Sequence, residues 1–201
     1  MPPEIKREFF AEYNTGCLYH PNPGCVHPAN EEDAQFISSL CERRPDRHAP
    51  ALDIDFPTTV QVLEDGTTLV GIIGPRPRRK PRNDLLDQLV ACGLMDPAHA
   101  KELYLEVRPG EDIEPLPALR LKVPVKLVPS SSAGHFHLYL EHAMDWELYK
   151  NLLLGLRDTG VIGRDFCTMC IRWHVSFLLK PGLAKSSLKA IYAGPESLRG
   201  S

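Results

Sequence analysis

The sequence predicts an α+β fold, a sheet with flanking helices, and three observations carry that prediction. Several short segments alternate polar and apolar residues at period two, as in HFHLYLE. One segment, MDWELYKNLLLGLRDTGVI, carries Trp146, Tyr149, Leu152, Leu153 and Leu156 at helical spacing. The 19 prolines, about twice average usage, fall between such segments and keep each element short.

In chain order, Asn30 as an N-cap, acids at 31 to 33, and Phe36, Leu40 and Cys41 on one face predict a helix over 31–44, ended by Pro45. PALDIDFP reads as a strand, and VQVLEDGTTLVGIIG as two strands joined at Asp65-Gly66, a dipeptide suited to a hairpin turn. NDLLDQLVACGLMDPAHAKELYLEV has Leu85, Leu86, Leu89 and Val90 at helical spacing, with Gly93 as a C-cap. LRLKVPVKLVPSSSAG and HFHLYLEH follow as strands, then the Trp146 helix, which ends near Gly160. FCTMCIRWHVSFLLKPG reads as a strand or paired strands. The expected organisation is an N-terminal Cys/His-containing extension over 1–30, a single domain over 31–185 and a flexible tail over 186–201.

Composition sets bounds on function. With 201 residues, 43% hydrophobic and 24% charged, the chain is not a disordered, collagen-like or coiled-coil sequence. No stretch approaches the roughly 20 apolar residues that span a bilayer. MPPEIKREFF has charges where a signal peptide needs an apolar run, so a cytoplasmic location without membrane partners is expected. The net charge of -3 argues weakly against a protein coated in nucleic acid and leaves room for a local basic element. That element is Arg76, Arg78, Arg79, Lys80 and Arg82, whose intervening prolines force an extended strip able to follow phosphates.

Two segments carry the candidate chemistry. On a strand, Asp53 and Asp55 emerge on one face while Ile54 enters the core. Two such carboxylates repel unless a cation lies between them, and hard oxygen ligands suit Mg²⁺ or Mn²⁺. In SSSAGHFHLYLE, the strand puts His135, His137, Tyr139 and Glu141 on one face, behind a turn whose hydroxyls and amides suit a phosphate. A structural zinc is a third theme. Cys17, His20, Cys25 and His27 lie within eleven residues, and Cys167, Cys170 and His174 form a second partial set. A competing enzyme reading takes His174-Val175-Ser176-Phe177 as one half of a two-histidine phosphoesterase, with HFHLYLE as the other half.

LDIDFP and PSSSAGHFHLYL, in this order, resemble the catalytic core of archaeo-eukaryotic-type primases and primase-polymerases, and IRWHVSFLLKPG resembles their downstream basic segment. The resemblance implies an open, RNA-recognition-like sheet with flanking helices and metal-dependent nucleotidyl transfer. It implies that Asp53 and Asp55 bind the metals, with Asp165 as the third carboxylate. His137, or His135 in its place, would contact the nucleotide phosphates, Ser131 and Ser132 would line the turn, and Arg172 and Lys180 would contact nucleotide or template. The implied partners are a nucleoside triphosphate, single-stranded DNA or a primer-template, and a phage replication helicase. PSSSAGHFHLYLEHAMDWELYK also resembles uncharacterised proteins of actinobacterial tailed phages, which implies expression in a bacterial host cell. The alternative is a relative that keeps the sheet and binds a nucleotide or partner without catalysis.

Overall fold

The computed structural model describes residues 5–13, 25–72, 82–105, 118–130, 132–181 and 183. In chain order the elements are β1 (Arg7–Tyr13), β2 (Cys25–Pro28), β3 (Phe36–Cys41), β4 (Arg44–His48), β5 (Ala51–Ile54), β6 (Thr58–Val62) and β7 (Thr68–Ile72). Then come α1 (Arg82–Ala91), α2 (Pro97–Leu105), β8 (Leu119–Leu121), β9 (Val125–Pro129), β10 (Phe136–Leu140) and β11 (Met144–Asp145). The last are α3 (Trp146–Asp158), α4 (Arg164–Trp173) and β12 (Phe177–Leu179).

The fold is α+β, with every strand pairing antiparallel. One sheet runs β11-β4-β3-β1-β2 with β12 also beside β3, a second runs β5-β10-β9, and a third runs β6-β7-β8. Strands β1 and β2, from the first thirty residues, are thus built into the sheet of β3 and β4. The tail over 186–201 lies outside the described residues. Among the described residues no helix is long and apolar enough to cross a membrane.

Period-two alternation explains how the β5-β10-β9 sheet is used. Leu52, Ile54, Leu138 and Leu140 are buried in the main core with Leu85, Leu86 and Leu89 of α1 and with Leu152, Leu153 and Leu156 of α3. Each such side chain contributes about 1.5–3 kcal/mol by leaving water. The N-cap Asp145 accepts a hydrogen bond from the Leu148 amide at 2.9 Å, and Tyr149 anchors α3 to β5, its hydroxyl donating to Ala51 O at 3.2 Å. Buried Arg7 ties the sheets together. Its guanidinium donates to the carbonyls of Ala49, Pro50 and Leu140 and pairs with Glu141 at 3.6 Å.

Two segments depart from the sequence reading. Residues 31–44 are not a helix: they contain β3 and the start of β4, turned at Arg43 with φ 61°. The buried Ser38 and Ser39 explain the difference, because their hydroxyls bond to other strands. Ser38 Oγ donates to Glu8 O, and Ser39 Oγ accepts from the Ser176 amide, each at 3.0 Å. These tertiary bonds outweigh a helical spacing made by only three apolar residues. Conversely, 164–173 is helix α4 rather than strand. Cys167 and Cys170, three residues apart, face the core together, and His174 closes the helix at φ 56°. The Asp65-Gly66 hairpin forms, but as a three-residue loop over 64–66 rather than the expected two-residue turn: Leu63 N–H donates to Thr67 O at 2.8 Å, Gly66 N–H donates to Leu63 O at 2.9 Å, and Gly66 alone in the loop takes a positive φ, 81°.

Candidate metal centre

Register between β5 and β10 builds the site. Leu52 lies opposite Leu138, Asp53 opposite His137 and Ile54 opposite Phe136. Because cross-strand partners share a face, Asp53 and His137 project together, away from the main core that takes Leu52 and Leu138. One rung further on, Asp55 and His135 face each other, with His135 Nδ1 2.8 Å from Asp55 Oδ1. The turn before His135 is held by Ser130 N–H donating to His135 O at 3.0 Å and His135 N–H donating to Ser132 O at 3.1 Å. Gly134 takes φ 79°, a conformation glycine adopts without strain.

Asp53, Asp55 and His135 each offer a ligand atom, and these three atoms lie within 4.8 Å of one another. Among the described residues this is the one group of three or more such side chains that could hold a metal ion. Two carboxylate oxygens and an imidazole nitrogen form a donor set that suits Mn²⁺, which accepts both, better than the strongly oxygen-preferring Mg²⁺. The Asp53 side chain is 26% exposed and that of Asp55 44% exposed, so the group opens to solvent and leaves positions for water or a phosphate. His137, by contrast, is buried behind it, with Nε2 3.9 Å from Asp53 Oδ1. That separation exceeds a hydrogen bond, so His137 lies beside the Asp53 carboxylate as a buried neighbour.

The other wall comes from α4. A bridge between Ile54 and Ile162 brings the helix start beside β5, and a Cβ on its N-cap Gly163 would lie 3.4 Å from Asp55 Oδ2. The strand spacing of the sequence puts Asp53 and Asp55 on one face and His135 on the polar face of its strand, but it assigns His135 to phosphate contact rather than to the ligand group, and it does not point to Gly163, whose place depends on the helical start of α4.

The remaining expected site residues are dispersed. Asp165 is exposed in the first turn of α4 and does not belong to the three-ligand group. Arg172 is in the last turn of the same helix, about 13 Å along its axis from Gly163. Lys180 follows β12 in the other sheet, its amide donating to Gln35 O at 2.7 Å and its Nζ to Glu31 O. Ser131, Arg76, Arg78, Arg79 and Lys80 lie outside the described residues; Arg82 opens α1, with its side chain outside them.

The second partial zinc set and the phosphoesterase reading meet geometric objections, whereas the first zinc set falls partly outside the described residues. Cys17 and His20 lie outside the described residues, while Cys25 and His27 both belong to β2. Cys167 and Cys170 are core thiols: Cys167 Sγ donates to Leu153 O at 3.6 Å, and Cys170 Sγ accepts from Ser176 Oγ at 3.2 Å. Burial pushes the Cys170 thiol up to about 12 and raises Cys167 as well, in keeping with neutral core thiols. His174 is the left-handed cap of α4, stacked on Trp146 at 4.9 Å between ring centroids, whereas Ser176 is fully buried. The two do not share a strand face, as the phosphoesterase half-site would require.

No protein-family model matches this chain, and no curated protein or solved structure is significantly similar to it.

Proposed function

We propose that this chain is a divergent primase-polymerase-like protein whose Asp53, Asp55 and His135 hold a divalent cation for the phosphates of a nucleoside triphosphate. The observation that carries this reading is the in-register pairing of the two candidate motifs: the strand with Asp53 lies beside the strand with His137, and Asp55 contacts His135. The arrangement supports His135 as a ligand and His137 as a buried neighbour of Asp53. A bound cation would neutralise phosphate charge and, in a transferase, lower the pKa of an attacking hydroxyl. The chain itself supplies the anchoring carboxylates and the turn that fixes His135.

The separation of Asp165 from the group favours nucleotide binding over two-metal nucleotidyl transfer. Binding without catalysis is therefore the form of this reading that the geometry favours, and DNA, a primer-template or a helicase partner belongs to the catalytic form. Titration of the full chain with Mn²⁺, followed by calorimetry and by the Mn²⁺ electron paramagnetic resonance signal, tests the shared core of both. Asp53→Asn should lower Mn²⁺ affinity by more than about 100-fold, beyond the usual loss from an outer-sphere partner, while leaving the circular dichroism spectrum unchanged. Equal Mn²⁺ binding by the variant would refute the metal centre. Primer extension by the wild-type chain with Mn²⁺ and deoxynucleotides then separates enzyme from binding protein.

A further inference from the structure

The polar face of β10 does not end at the metal centre. Two residues past His137 on that face comes Tyr139, which is opposite Ala51 on β5 and Lys126 on β9, and two further on is Glu141. Tyr139 and Glu141 line an open groove of about 820 Å³, whose far wall is formed by β1, β3 and the residues after β12. Tyr139 is only 3% exposed, yet its hydroxyl has no hydrogen-bond partner among the described residues, and neither has Glu141 Oε2. Buried polar atoms rarely stay in this condition: a water, an ion or a ligand completes them. The other oxygen of Glu141 is engaged with Arg7, whose guanidinium also spans the Tyr139 ring at 5.2 Å. Burial keeps the Tyr139 phenol protonated, raised to about 12, so it remains a donor at neutral pH.

The charge of the groove narrows the ligand. Four Lys or Arg residues line it, and four Glu residues balance them, so it does not present the positive field that a phosphate backbone selects. Ile37 and Val128 add apolar wall between these groups. A neutral body with its own donors and acceptors fits this lining better than a polyanion. Along β10, the distance from the Asp53, Asp55 and His135 group to the Tyr139 and Glu141 pair is about 13 Å, within the reach of a triphosphate chain and a sugar.

We infer that this groove receives the nucleoside part of a nucleotide whose phosphates lie on the metal centre, with Tyr139 and Glu141 hydrogen-bonding to sugar or base. This assignment rests on the nucleotide reading above. Calorimetry on the Mn²⁺-loaded full chain compares dATP with inorganic triphosphate, which has the same three phosphoryl groups, one more ionisable oxygen and no nucleoside. The wild type should bind dATP more tightly. Tyr139→Phe should lower dATP affinity about five- to tenfold, leave triphosphate affinity unchanged, and leave the free protein as stable or more so, because it deletes an unmet buried hydroxyl. Glu141→Gln, which keeps size and shape, gives the same comparison independently should the first variant fail to fold. If both variants bind dATP as the wild type does, the groove assignment falls while the metal centre stands. If Mn²⁺ binds but neither dATP nor triphosphate does, the nucleotide reading falls and this inference with it.

Discussion

On one face of β10, Leu138 and Leu140 are buried among leucines of α1 and α3; on the other, His137 and Tyr139 are buried almost as completely but carry polar atoms. The same backbone supports both faces, and period two assigns each residue to one or the other. The apolar face is satisfied by packing alone, since dispersion and the hydrophobic effect need no particular partner atom. The polar face joins a group of ligand atoms open to solvent to the unmet oxygens of Tyr139 and Glu141. Such a surface contributes less to stability than leucines in the same place would, and is expected where a ligand supplies the missing partners.

The comparison breaks most sharply if the apolar face is damaged. Leu138→Ala removes a side chain that is 4% exposed in the main core and should cost about 3 kcal/mol, within the usual 2–5 kcal/mol range. Urea unfolding measures this as a lower midpoint at constant slope. Below that midpoint, Mn²⁺ affinity should match the wild type, because His137 and Asp53 point the other way. A loss of metal affinity in the folded variant would mean that the two faces are not separable.

The six-stranded sheet has its own buried imidazole, which sharpens the comparison through pH. His48 is 3% exposed, stacks on Tyr149 at 5.7 Å and lies 3.3 Å from Ser39 Oγ through Nδ1. Burial, together with nearby His174, pushes its pKa down to about 4. In the unfolded chain it titrates near 6.5. Between those values the unfolded chain takes up a proton that the folded chain refuses, so stability is full above pH 6.5 and falls as the pH drops toward 4. The loss attributable to His48 is at most about 3 kcal/mol. Thermal melts of wild type and His48→Gln across this window should show a steeper acid loss for the wild type. Parallel curves would show that His48 is not a buried neutral base.

How far these features could be read from the sequence depends on whether their cause is local. The β5 and β10 strands, the Gly66 turn and α3 follow from alternation, a turn dipeptide and an apolar stripe, all contained within one segment. Asp53, Asp55 and His135 were legible for the same reason, since strand period alone places the two acids together and directs His135 to the polar face. The failures at 36–41 and 164–173 concern segments whose state is decided by other parts of the chain. Ser38 and Ser39 find acceptors and donors on β1 and before β12, and Cys167 finds Leu153 on α3. No local pattern records such partners. The displacement of Asp165 from the metal group follows from the second failure, because a residue on a helix start projects differently from one on a strand.

Gly163 offers the finest division between fold and site. It is the N-cap of α4 with φ -63° and ψ 147°, an extended conformation that any residue adopts, so no glycine is required by the backbone. What a side chain would meet there is Asp55 Oδ2, 3.4 Å from the ideal Cβ. Gly163→Ala should therefore change stability by only about 0.5 kcal/mol, since alanine is a slightly poorer cap than glycine and makes an ordinary van der Waals contact. Its methyl group would nevertheless touch Asp55 Oδ2 and narrow the rotations open to that carboxylate. Mn²⁺ affinity should fall a few-fold in Gly163→Ala and further in Gly163→Val, while the melting temperatures of the two variants stay close together. A graded loss of affinity without a matching loss of stability would place the cation on the α4 side of Asp55. Unchanged affinity in both variants would place it on the β10 side, with His135 as its nearer ligand.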